Sequence, residues 1–200
     1  MAKRRRLVAL GVALALPGLA LARRFSMPDL SRLPQPCEPY RAAFAEALRA
    51  YPVEPELLMA LVVQESGCHP KARRHEPRYQ AAYVAGNPRW DPARALGWTD
   101  EALATSWGLT QVLGTTAWEL GWHYPPDAEG GITDPAANLR LGAKYLRRQL
   151  ARYGNVYEAL LAYNGGGGAV LAYRRGRCYN CAYADAVLAL RDRIKRGEPV

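Results

Sequence analysis

At 200 residues, half of them hydrophobic, the chain is long enough for one domain with a sizeable core and short extensions. Its 27 Lys and Arg outnumber 18 Asp and Glu, a formal charge of +9. No basic run is interleaved with aromatic residues, so nucleic acid is not an expected partner. Diffuse positive charge of this kind suits an anionic polymer instead.

The chain opens with the basic stretch MAKRRR, then the apolar LVALGVALALPGLALA ending in the small-x-small pattern Ala20-Leu21-Ala22. That order reads as a cleavable secretory signal over residues 1–22. The apolar run is a little short for a membrane span of about 20 residues, and Pro17-Gly18 breaks it. No stable membrane insertion is therefore expected after cleavage, and no cysteine follows the cleavage pattern to make a lipoprotein. Removal takes away Lys3, Arg4, Arg5 and Arg6 and no acid, lowering the charge from +9 to +5. Four cysteines in an exported chain suggest disulfides.

Residues 23–36, RRFSMPDLSRLPQP, form a proline-rich lead-in expected to be poorly ordered, with the folded domain over 37–200. EPYRAAFAEALRAY carries Tyr40, Phe44, Ala47, Leu48 and Tyr51 at helical spacing and ends before Pro52. VEPELLMALVVQES restarts with Pro55 in its first turn and stops at Gly67. On this second helix Leu57, Leu61 and Glu65 share one face. A carboxylate on a core-facing stripe is costly unless it is paired, protonated or used. Two helices turning near Pro52 also place Cys37 and Cys68 almost equidistant from the turn, so these two should pair. Cys178 and Cys181 would then pair with each other. Zinc is not expected, because Cys68, His69, His75 and His123 do not complete a known finger spacing around that CxxC. A redox role is not expected either, because the CxxC lacks a surrounding βαβ pattern.

Residues 68–98 are rich in Arg, Pro, Gly and aromatics with little periodicity. Connections of that length are usually functional or disordered, and Tyr79, Tyr83, Trp90 and Trp98 argue against disorder. TDEALATSWGLTQ reads as a short helix feeding a glycine turn. TTAWELGW opens with Thr116-x-x-Glu119, a capping-box spacing. DPAANLRLGAKYLRRQLARYG is the clearest helix, with Asp134 as cap, Pro135 at the first position and Gly154 at the end. NVYEALLAYNGGGG starts at Asn155 and should break at its glycine run. That run is no phosphate loop, since no Lys-Ser/Thr follows and no strand precedes. GAVLAYRRG and NCAYADAVLALRDRIKRG finish the chain. With no alternating run long enough for a central strand, the fold is expected to be mostly α.

Four separated segments stand out: ESG at 65–67, SWGLTQ at 106–111, DPAANLRLGAKYLRRQLARYGN at 134–155 and ALLAYNGG at 159–166. In this order and spacing they resemble the family 1 lytic transglycosylases, lysozyme-like enzymes that cleave peptidoglycan, over roughly residues 38–190. The resemblance implies a lysozyme-like helical domain with Glu65 as catalytic residue and no cofactor or metal. It implies substrate contacts from Ser66, from Gln111 on the cleft wall, and from Tyr163 and Asn164. Asn138, Gly142 and Tyr145 match a supporting helix and would be structural. Thr110 stands where the family pattern has methionine on the cleft wall, and Arg74 lies about where a substrate-facing serine is usual. The insert RRHEPRYQ resembles a longer-loop subgroup and brings Glu76 to the cleft.

Cleaving a β-1,4 glycosidic bond needs a proton for the leaving oxygen while positive charge builds on the sugar. A carboxyl set among apolar neighbours stays protonated and can supply it. The matched segments contain one suitable acid, Glu65, where a two-carboxylate hydrolase needs two. The resemblance implies a route that manages with one: the substrate's N-acetyl group assists, and Glu65 then deprotonates the muramyl 6-hydroxyl to give a 1,6-anhydro ring. The expected function is thus an exported, periplasmic or cell-wall enzyme cleaving MurNAc-β-1,4-GlcNAc strands non-hydrolytically, with envelope-spanning machinery as a further partner. The alternatives are a goose-type lysozyme-like hydrolase, using Glu76 or Asp91 to position water, and a non-catalytic glycan-binding module.

Overall fold

The computed structural model describes residues 27–124, 126 and 131–200, so the signal expected over 1–22 and the first part of the lead-in lie outside the described residues. The first helices follow the sequence closely. A 3-10 turn (Gln35–Tyr40) leads into α1 (Arg41–Ala50), and α2 (Pro55–Ser66) starts at Pro55 and ends where Gly67 takes the left-handed φ of +56°. Every residue from Leu57 to Val62 is buried, so the middle of α2 is apolar on all sides and lies at the centre of the core.

The insert then builds short elements: β1 (Arg73–His75), α3 (Pro77–Tyr79), a π-helical turn (Gln80–Val84), α4 (Asp91–Ala95) and α5 (Asp100–Leu103). β2 (Thr105–Trp107) and β3 (Val112–Leu113) follow, and then α6 (Gly114–Glu119). The strands form an antiparallel sheet in the order β1-β2-β3, with Arg74 opposite Ser106 and Trp107 opposite Val112. The short helix expected in TDEALATSWGLTQ stops at Leu103, and the segment before the glycine turn runs extended over Thr105–Trp107, where β-branched Thr105 and aromatic Trp107 favour a strand. The capping box expected at Thr116 does not form either. α6 begins two residues earlier at Gly114, where any side chain would stand 2.2 Å from the Ala102 carbonyl oxygen.

Three long helices complete the chain. In α7 (Pro135–Tyr153) the Asp134 side chain accepts from the Ala137 N–H at 3.0 Å, and Gly154 closes the helix. α8 (Val156–Arg174) is capped by Asn155 and broken as expected within its glycine run, at Gly166 (φ 68°, ψ −174°). α9 (Cys181–Arg196) ends at Gly197. The principal core lies among α1, α2, α7, α8 and α9, with α2 packed on α9, α1 on α7, and α8 on both α7 and α9. A second cluster built on Trp90, Trp98, Leu103, Trp107 and Ile132 lies under the insert.

The lead-in departs from expectation. Leu30 and Leu33 are buried in the principal core, and Arg41 donates to the Leu30 carbonyl at 2.8 Å. Burying a leucine is worth about 1.5–3 kcal/mol, enough to order a segment that its polar and proline content leaves weakly structured. Cys37 is joined to Cys68 and Cys178 to Cys181, the pairing expected from the helical hairpin. Among the described residues no helix is long and apolar enough to cross a membrane.

Candidate active site

Glu65 occupies the last turn of α2, above the buried Leu57 and Leu61, and opens onto a cleft of about 730 Å³. Gln111, Tyr163, Asn164 and Glu76 line the same cleft, so the expected site residues converge there with one exception. Ser66 is turned away. Its hydroxyl reaches the Leu109 carbonyl at 2.8 Å and the Val62 carbonyl at 3.2 Å. The first of these ties the end of α2 to the SWGLTQ segment, so Ser66 is a tether here, not a substrate ligand.

Burial raises the pKa of Glu65 from 4.5 to about 7, against the opposing pull of a Tyr183 hydrogen bond and the Arg74 charge. Tyr183, in the first turn of α9, donates its hydroxyl to Glu65 Oε1 at 2.5 Å. Burial, then the nearby Glu65 charge, pushes the Tyr183 phenol well above its ordinary range. The same two causes act on Tyr163, whose hydroxyl donates to the Thr110 carbonyl at 2.9 Å. Both phenols therefore remain donors at neutral pH. The two carboxyl oxygens are thereby distinguished: Tyr183 occupies Oε1, and among the described residues no protein hydrogen bond reaches Oε2.

Gln111 sits at a left-handed φ of 46° at the end of the SWGLTQ turn. Its amide nitrogen donates to the Gly108 carbonyl at 2.9 Å and the Ala72 carbonyl at 3.1 Å. Both neighbours are acceptors, which fixes the amide orientation and leaves Oε1 to accept from a ligand.

Behind this turn lies a buried hub. Asn138 Oδ1 accepts from the Thr110 N–H and hydroxyl, each at 2.8 Å, and Nδ2 donates to the Trp107 and Ile132 carbonyls, each at 2.9 Å. Gly142 is bare because a Cβ there would stand 2.3 Å from the Thr110 methyl. Thr110 is consequently a buried packing residue facing α7 and does not line the cleft. Tyr145, expected to be purely structural, lies 4.8 Å from Tyr163 between ring centroids and also lines the cleft.

Two carboxylates were expectations for a second acid. Glu76 reaches the cleft but accepts from Arg74 Nε at 2.7 Å. Asp91 lies outside the lining and pairs with Arg94 at 2.6 Å. Asn164 Oδ1 accepts from Asn180 at 3.2 Å, leaving the Asn164 amide N–H groups for the cleft. Among the described residues no three His, Cys, Asp or Glu side chains gather as a metal-binding group.

Sequence reasoning missed Tyr183, Tyr79 and Tyr83 as site residues. Tyr183 did carry a signal: it stands four residues before the buried Val187, a polar tip on a core stripe like Glu65 itself.

Residues 42–179 match the family described as "Transglycosylase SLT domain". A transglycosylase of Enterobacteria phage PRD1 is 35% identical over 91 residues, 46% of this chain and 29% of that protein. The 70 kDa soluble lytic transglycosylase of Escherichia coli matches with a TM-score of 0.53 and 22% identity, over 80% of this chain and 25% of its own. An inactive Glu-to-Gln mutant of the lytic transglycosylase Slt from Pseudomonas aeruginosa matches with a TM-score of 0.54 and 20% identity, over the same shares. At these identities the structural likeness is one of fold, and the chain spans about a quarter of the length of either solved protein.

Proposed function

Because this chain belongs to the transglycosylase SLT domain family, we propose that it is a peptidoglycan lytic transglycosylase acting on MurNAc-β-1,4-GlcNAc strands. One observation carries the reading. A single carboxyl group, Glu65, has its pKa raised by burial to about 7 and lines a cleft of about 730 Å³, with one oxygen held by Tyr183 and no protein hydrogen bond on the other among the described residues. The other acid on that cleft, Glu76, is engaged by Arg74.

In this mechanism Glu65 gives its proton to the glycosidic oxygen as the C–O bond breaks, and the bonding electrons leave with GlcNAc. The substrate's N-acetyl oxygen stabilises the positive charge at the MurNAc anomeric carbon. Glu65, now a carboxylate, takes the proton of the muramyl 6-hydroxyl, and that oxygen closes on the anomeric carbon. A 1,6-anhydro ring forms, the acid is restored and no water is consumed. Tethered attack of this kind has an effective molarity of about 10⁵–10⁸ M when well oriented, which a single carboxylate can exploit without holding a water.

The basic and apolar stretch over 1–22 and two disulfides support an exported protein. Peptidoglycan strands are the proposed partner, with local wall opening for an envelope-spanning assembly as the proposed setting. Digestion of cell walls in oxygen-18 water tests the chemistry. The expected products end in unlabelled 1,6-anhydro-MurNAc. Labelled reducing-end MurNAc, abolished by Glu76→Gln, would establish the two-carboxylate hydrolase instead. Loss of all cleavage with glycan binding retained by the wild-type protein would establish the binding module.

A further inference from the structure

We propose that Tyr83 is a stacking platform for an N-acetylhexosamine ring of the glycan strand, at the solvent-facing end of the cleft. The proposal rests on the glycan reading above and adds to it a subsite built by the insert.

An exposed tyrosine is ordinary on a protein surface. Tyr83 is set apart by how firmly its backbone is held while its ring is left out. Tyr83 is 61% exposed and lines the same cleft as Glu65. Its carbonyl accepts from the Trp90 indole N–H at 2.9 Å and from the Asn87 amide at 3.1 Å. The next residue, Val84, is fully buried, and its carbonyl accepts from Arg94 Nη2 at 2.8 Å. Arg94 in turn bonds the Asn87 carbonyl, Asp91 and Asp100, so one guanidinium fastens four points of the insert. The whole turn is π-helical, closed by the Ala85 N–H on the Gln80 carbonyl at 2.9 Å, a geometry found frequently at functional sites.

The ring has support from below as well. Tyr79 lies 5.0 Å away between centroids, tilted by 42°. The Tyr79 hydroxyl is fixed to the Thr115 hydroxyl at 3.0 Å, next to Thr116 on the cleft wall. Tyr83 therefore presents a large apolar face, held in advance on a rigid mount, so little ordering is needed when a ligand arrives.

The chemistry selects the occupant. A β-1,4-linked pyranose presents a face of C–H groups whose slight positive charge complements the negative face of an aromatic ring. The strand that places its reacting bond at Glu65 must extend along the cleft, and the insert puts an aromatic face on that route.

The test uses the mature chain with Glu65→Gln to prevent turnover, and measures binding of N-acetylglucosamine dimer and hexamer by calorimetry. Tyr83→Ala should weaken the hexamer roughly 5- to 10-fold and leave the dimer unchanged, while Tyr83→Phe and Tyr83→Trp keep hexamer affinity within about twofold. The ring is outside the core, so the melting temperature of each variant should match the parent. Unchanged hexamer affinity in Tyr83→Ala overturns the platform, as does equal weakening of dimer and hexamer. A Tyr83→Phe loss as large as that of Tyr83→Ala also overturns it, by assigning the contact to the hydroxyl. Failure of the Tyr83-intact parent to bind either sugar would overturn the glycan reading itself, a result distinct from the others.

Discussion

The hydroxyl of Tyr183 rests 2.5 Å from Oε1 of Glu65, although 118 residues separate them along the chain. The contact exists because α9 packs directly on α2, which brings a phenol donor to a carboxyl at the end of a buried helix. It makes the two oxygens of one side chain inequivalent: Oε1 is held by Tyr183, and among the described residues no protein hydrogen bond reaches Oε2. An acid that must give a proton and then take one back benefits from a fixed geometry in both steps.

Tyr183→Phe removes a donor that favours the charged form of Glu65, so the Glu65 pKa should move further above about 7. The alkaline limb of the kcat/KM profile should shift to higher pH, with kcat reduced and KM little changed. A profile identical to wild type would detach Tyr183 from the reaction.

Glu65→Gln should abolish proton transfer and reduce the rate of wall cleavage by about 10²–10⁴-fold or more. More than a tenth of wild-type rate remaining would sink the assignment. The substitution should also stabilise the fold, with a definite pH dependence. The folded pKa, about 7, lies above the ordinary 4.5. Below 4.5 both states are protonated and Glu65 carries no penalty. Between these values the unfolded chain loses its proton first, so wild-type stability falls as pH rises and levels off above about 7. The full difference is on the order of 3 kcal/mol. Melting temperatures of the two proteins should converge in acid and diverge toward neutrality.

Gly142→Ala sets two effects against each other. Alanine is favoured over glycine inside a helix by about 1 kcal/mol. Here, however, its methyl would stand 2.3 Å from the Thr110 methyl, and Thr110 is fastened to Asn138 and cannot step aside freely. Overpacking of this sort costs about 1–3 kcal/mol, so net destabilisation is expected, with the Gln111 turn displaced and activity lowered. Denaturant unfolding and wall cleavage read the two effects, and unchanged stability would show that Thr110 steps aside at no cost.

The two disulfides should respond differently to a mild dithiol under native conditions. Cys37 and Cys68 are buried, whereas Cys178 is exposed, so Cys178–Cys181 should open first. Replacing both Cys37 and Cys68 with serine should lower stability by about 3–4 kcal/mol in the chain-entropy model. Mass mapping after alkylation decides the order, and labelling of Cys37 before Cys178 would contradict it.

The helices that needed only their own residues were legible in advance. α7 is written in Asp134, Pro135 and Gly154, and α2 in Pro55, its apolar run and Gly67. These signals act within a few residues, because caps and turn-forming φ values are satisfied by the adjacent backbone. The paired cysteines were legible for a similar reason, since a short hairpin determines which of its ends meet. Glu65 was legible as a carboxylate on a core stripe, together with the ordered segments that surround it.

Other features belong to the tertiary structure. Strands of two and three residues are too short for an alternating pattern, and β1 meets β2 only because the insert folds back. α6 starts at Gly114 rather than after a Thr116 cap, with Gly114 packed so closely on the Ala102 carbonyl that no side chain fits there. The direction of Ser66, the burial of Leu30 and Leu33 and the approach of Tyr183 all depend on segments remote in sequence. Sequence alone determined which residues would form the principal helices and which carboxyl was out of place. Packing decided the acidity of that carboxyl and which of its oxygens is hydrogen-bonded, because desolvation and hydrogen bonding depend on every atom brought close to it, many of them on other helices.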